Sequence, residues 1–156
     1  MTATCNWETG ERLLALDDPA EWDAAFERGE KGLGTAAIGL AFNCSLEEAS
    51  SRIVKAMDLS DIAQQGFACT AAGTAARLNG ALTPELYAEL RAKGLGRRSI
   101  AVNAVDDTLT FVPFRDLPTW LKCRSVGSAV RDKSEAWRLT TVYAIGDARR
   151  AMRGRR

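Results

Sequence analysis

The sequence contains no histidine. That removes Ser-His-Asp and Cys-His nucleophiles and histidine general bases, so an enzyme built on this chain would rely on carboxylate, Lys, Tyr or Cys chemistry. Cysteines are few: Cys5, Cys44, Cys69 and Cys123 are widely spaced, with no C-x-x-C pair. Structural zinc sites bring their ligands in close pairs, so these four read as reduced thiols acting as small hydrophobes. Aromatics make up 7 % of residues and prolines number four. No apolar run approaches the roughly 20 residues that span a bilayer. Residues 1–11 include acids and lack the basic-then-apolar order of a secretory leader, so the expected compartment is the cytoplasm.

What is present describes a folded domain. The 156 residues suffice for one core, with 46 % hydrophobic and 26 % charged side chains. The 26 alanines and the preference for arginine over lysine, 16 to 5, fit the codon usage of a GC-rich bacterium. The net charge of +1 hides a division. Residues 1–114 hold 10 basic and 16 acidic side chains, whereas residues 115–156 hold 11 and 4. An acidic body and a basic C-terminal extension can attract each other, or the extension can seek an anionic partner.

Helix signals dominate the body. A first helix is expected over Glu8–Leu16, ending at Asp17-Asp18. Asp18 caps a second, with Pro19 in its first turn and Trp22 and Phe26 on one face to about Arg28. Gly29, Gly32 and Gly34 interrupt the chain before a short apolar helix, Thr35–Phe42. Ser45-Leu46-Glu47-Glu48 is a capping box, followed by Leu46, Ala49, Ile53, Ala56 and Met57 at helical spacing. After the link Asp58–Ser60, Ser60 or Asp61 caps a helix with two stripes. Phe67, Ala71, Thr74 and Leu78 form one. Ala68, Ala72 and Ala76 form a smooth ridge suited to close helix approach. Asn79-Gly80 stops this helix, and Thr83-Pro84 starts the next, with Leu86, Tyr87 and Leu90 facing inward until Gly94 and Gly96. Ser99 caps a helix with Ala101, Val105, Leu109 and Val112 inward, closed by Pro113. The β-branched runs Ile100–Val105 and Thr108–Val112 offer a competing hairpin, but Asp106-Asp107 lacks the glycine that a two-residue turn favours. Beyond Pro113 lie an aromatic connector with Trp120, an ambiguous stretch over Leu121–Val130, and a last helix from Ser134 to about Met152.

The stretch AMDLSDIAQQGFACTAAGTAARLNGALTPELYAEL, followed by AVNAVDDTLTFV, resembles consecutive HEAT-like helix pairs. Asp61-Ile62, Ala68, Ala72-Gly73 and Leu78 fall where such repeats place an acidic turn, small residues and a closing apolar position. Ala63 stands where an arginine is usual. The resemblance covers about residues 45–112. It implies an all-α fold, a short HEAT-like α/α repeat array with atypical helical caps. Residues 1–156 then form a single helical domain with a basic C-terminal extension, 113–156. Helix pairs bury their apolar faces only by stacking on neighbours.

Several groups invite chemistry. Asp106-Asp107 resembles half of an acidic magnesium motif, but the third acid of D-D-x-x-D is missing. Gly29-Glu30-Lys31-Gly32-Leu33-Gly34-Thr35 is glycine-rich before a helix, as in phosphate-binding loops, but its order does not match G-x-x-x-x-G-K-[ST]. The basic extension, with Arg149, Arg150 and Arg153 near its end and Trp120 and Trp137 for stacking, suits a phosphate backbone.

The expected function is a non-enzymatic protein-binding module without a cofactor, possessing a protein partner and resembling bacterial immunity or antitoxin-type inhibitors. Asp106, Asp107, Trp120, Arg149, Arg150 and Arg153 are its candidate contacts. The competing expectation is a nucleic-acid-associated protein acting through the basic extension. A carboxylate-dependent enzyme using Asp106 and Asp107 ranks third.

Overall fold

The computed structural model describes residues 5–94 and 99–127, and all described regular structure is helical. Two compact units divide the chain, Met1–Leu117 and Pro118–Arg156. Among the described residues the first contains six α-helices: α1 (Pro19–Glu27), α2 (Leu33–Asn43), α3 (Leu46–Met57), α4 (Ile62–Asn79), α5 (Pro84–Lys93) and α6 (Val102–Phe111). In the second, the described residues include a helix at 119–127, so Trp120 stands on a helix rather than in an open connector. The expected last helix, Ser134 to about Met152, lies outside the described residues.

The helix starts are set by side-chain oxygens. Asp18 accepts the Ala20 N–H at 2.9 Å, and Asp61 accepts that of Ala63 at 2.8 Å. Ser45 and Glu48 close a reciprocal capping box. Thr83 caps α5 ahead of Pro84. Gly80, at φ 61°, ends α4 in the left-handed conformation that glycine adopts without steric cost. Before α6, the Ser99 hydroxyl accepts the Ala101 N–H at 3.1 Å and bonds the Lys93 carbonyl; it thus ties the end of α5 to the approach to α6, and Ala101 occupies the cap position.

The six helices form two layers. Odd helices neighbour odd, α1 against α3 and α3 against α5, while α4 lies between α2 and α6. Within each layer the helices run parallel, as their end contacts require. Lys55 lies over the Phe26 ring at 5.7 Å, and Lys93 bonds Asp58 at 2.7 Å, each joining C-terminal ends of odd helices. In the other layer, Gln64 of the first turn of α4 meets the first turn of α2, and Arg77 near the end of α4 stacks over Phe111 at the end of α6 at 5.3 Å. Across the layers α1 packs on α2, and α3 packs on both α2 and α4, whereas α5 packs mainly on α3.

The core divides its labour by size. The odd helices supply bulk, with Trp22, Ile53, Met57, Leu86 and Leu90 fully buried. α4 supplies Ala68, Ala71, Ala72, Ala75 and Ala76. Its glycine is equally committed: a Cβ on Gly73 would lie 3.3 Å from the Ala104 Cα of α6. Close backbone approach of α2, α4 and α6 is therefore built from small side chains.

The structure corrects several expectations. Glu8–Leu16 is not a helix. Asn6 takes the N–H groups of Glu8 and Thr9 on its side chain at 3.1 Å, Gly10 and Arg12 adopt φ of 78° and 67°, and only a 3-10 turn, Leu13–Ala15, follows. Gly34 does not break the chain; it lies inside α2, where a Cβ would collide with the Gln64 carbonyl. On α4, Ala71 is buried, but the bulky ends of its stripe, Phe67 and Leu78, are not. Both of those residues are exposed, and the alanine ridge is the buried side. Tyr87 is half-buried, and on α6 Ala104 and Thr108 take the interior while Leu109 is only half-buried. The competing hairpin falls because 102–111 is helical.

Candidate functional site

The two layers present opposite kinds of outer surface. α1, α3 and α5 carry eleven charged residues, many of them ion-paired: Arg52 bonds Asp23 across α1 and α3, and Lys93 reaches Asp58 and Glu89. They display none of the exposed large hydrophobic side chains. α2, α4 and α6 carry only three charges, Arg77, Asp106 and Asp107. Their outward side chains include Phe42 at 57 % exposure, Phe67 at 43 %, Leu78 at 53 % and Phe111 at 39 %. Thr70, Thr74 and Thr110 lie among these helices with their hydroxyls turned back onto carbonyls of their own helices. They therefore add methyl surface rather than free polarity. An outer face depleted of charge and bearing aromatics has the composition of an interface core.

Asp106 and Asp107 are brought to this face as neighbours on exposed positions of α6. Among the described residues neither makes an ion pair. The Asp107 carboxylate lies over Gly73, its Oδ2 2.6 Å from where a Cβ would stand, and Phe111 follows one turn on. Absence of a side chain at Gly73 is what lets α6 place this carboxylate against α4. Among the described residues no group of three or more metal-ligating side chains assembles around these aspartates or elsewhere. Trp120 belongs to the second unit and is half-buried there. Arg149, Arg150 and Arg153 lie outside the described residues.

A second feature is a cleft of about 500 Å³ lined by Phe26, residues 29–33, Leu59, Ser60, Asp61 and Gln64. It contains the glycine-rich loop. The helix N–H groups that would hold a phosphate there are already engaged: Gln64 Oε1 accepts from Gly34 at 2.9 Å and from Thr35 at 3.4 Å. Glu30 and Asp61 add carboxylates to the lining. The loop is thus a turn whose following helix is capped from the neighbouring pair. The four cysteines are free thiols, and burial pushes the Cys69 thiol above its ordinary value.

Phe42, Phe67, Leu78 and Phe111 were not legible as a site from residue-by-residue motifs. The signal that finds them is the near absence of charge along three helices that alternate with charged ones. No family model, no curated protein and no solved structure matches the chain.

Proposed function

We propose that this chain is a non-enzymatic protein-binding module of HEAT-like construction, acting in a bacterial cytoplasm as an immunity- or antitoxin-type inhibitor. The observation that carries the reading is the asymmetry of the layers: one outer face is charged and ion-paired, and the other exposes Phe42, Phe67, Leu78 and Phe111 among only three charges. Solvent suffices to satisfy the first. The second gains by being covered, at roughly 25 cal/mol for each Å² of apolar surface removed from water. The HEAT-like description rests on helices that pair across two layers and stack in parallel within each, the arrangement by which such repeats build extended binding surfaces.

Affinity purification of the tagged chain from its native host, with and without nuclease, tests the reading. A single protein retained in 1:1 ratio after nuclease treatment is the expected result. The excess of basic residues over 115–156 favours one competing reading, a nucleic-acid contact through that segment. It requires capture that depends on nucleic acid, weakens steeply with salt and disappears when residues 149–156 are removed.

A further inference from the structure

The charge-poor face is not electrically neutral at its edge, and this specifies what can cover it. Of its three charged side chains, Arg77 is spent on the Phe111 ring, whereas Asp106 and Asp107 make no ion pair among the described residues. Both are exposed, so in the free protein water solvates them. Covering Phe111 and Leu78 with an apolar surface would strip that water from Asp107, which sits one helical turn from Phe111 and against Gly73. An uncompensated carboxylate at a desolvated edge costs more than the adjacent apolar contact returns. A partner that brings a cation offsets this cost most directly. The same carboxylates repel a phosphate backbone or an anionic membrane surface, so neither is a suitable occupant of this face.

Resting on the protein-binding reading, we infer that the outer face of α2, α4 and α6 receives a basic, amphipathic protein segment. Its apolar side chains cover Phe67, Leu78 and Phe111, and its lysine or arginine side chains pair with Asp106 and Asp107. The aspartates set orientation and partner choice, while the apolar residues hold the complex. Rim charges act mainly on association rate and salt dependence, so the two groups are separable by experiment.

Fluorescence anisotropy with the full chain and two labelled 18-residue peptides makes the test: an amphipathic leucine–lysine helix and its leucine–glutamate twin. The lysine peptide is expected to bind and the glutamate peptide not. Asp106→Asn with Asp107→Asn should weaken binding about tenfold at low salt and flatten its salt dependence. Phe67→Ser with Leu78→Ser should abolish binding with the circular dichroism spectrum unchanged. Glu47→Gln with Glu85→Gln, on the charged layer, should leave binding as it is. Equal binding of both peptides, no binding of the lysine peptide, or full affinity in the aspartate double variant overturns the cationic inference. If the aspartate variant alone retains full affinity while the Phe67/Leu78 variant loses it, the face still binds protein. Undiminished affinity in the Phe67/Leu78 variant removes the face itself from consideration, and the inference with it.

Discussion

Gly34 and Gly66 share a residue type and helical surroundings, yet the structure assigns them opposite roles. A Cβ on Gly34 would enter the Gln64 carbonyl of α4, whereas one on Gly66 would meet nothing within 4 Å. Gly34→Ala is expected to destabilise the fold by more than about 2 kcal/mol through overpacking. Gly66→Ala, in the second turn of α4, should stabilise it by about 0.5–1 kcal/mol by removing glycine's entropic cost. Urea unfolding of the two variants beside the parent chain checks both signs. At Glu48, hydrogen bonds from Ser45 hold the carboxyl below its ordinary value. A carboxyl whose folded value is depressed contributes stability above its unfolded value, and that contribution disappears as pH falls through the folded value. The stability difference between the parent and Ser45→Ala should therefore be full at neutral pH and shrink on acidification below the usual glutamate range. A difference that grows on acidification would contradict the capping box.

The helices themselves show which parts of the fold can be read from residues. Asp18, Ser45, Asp61 and Thr83 announce their helices because a capping oxygen is a local device, complete within three or four residues. Glu8–Leu16 misleads because helical propensity there loses to an equally local competitor, the Asn6 side chain, together with two left-handed residues. α4 misleads for a different reason. Periodicity puts the bulky Phe67 and Leu78 on one apolar stripe beside the alanine ridge, but this helix lies between two others at close range, and only its alanine side fits there. Size, not hydrophobicity, decides which face of α4 is buried. Coupling between neighbouring pairs is likewise invisible locally. Gln64 caps α2 from thirty residues away, and nothing near Gly34 signals it. Gln64→Ala is expected to cost about 1 kcal/mol, in the range of a lost helix cap. Hydrogen exchange should show increased opening at the start of α2 rather than at α4, whose own cap, Asp61, is untouched. Uniform protection loss along α4 would show that Gln64 supports its own helix instead.

On the scale of the whole molecule, the sequence shows an acidic body and a basic extension, and the fold adds a second division that composition averages conceal. Charge alternates helix by helix, so that stacking α1, α3 and α5 collects the ion pairs on one side and stacking α2, α4 and α6 collects apolar side chains on the other. Asp106 and Asp107 were legible as candidates because paired acids stand out in any sequence. Their apolar neighbours were not, because Phe67 and Leu78 share one stripe of α4 while Phe42 and Phe111 come from α2 and α6, and the three helices make a common surface only when packed side by side. Exposed substitutions away from core contacts change stability by no more than about 0.5 kcal/mol. Phe67→Ser and Leu78→Ser should therefore separate binding from folding.

The most direct measurement is a paired capture from nuclease-treated lysate of the native host, with the parent chain and the Phe67→Ser/Leu78→Ser variant as baits at equal load. Mass spectrometry would quantify what each retains. The expected result is one protein held stoichiometrically by the parent and lost by the variant, both baits having the same unfolding midpoint. Retention of that protein in equal amount by both baits, or capture by the parent only when nucleic acid is left intact, would contradict it.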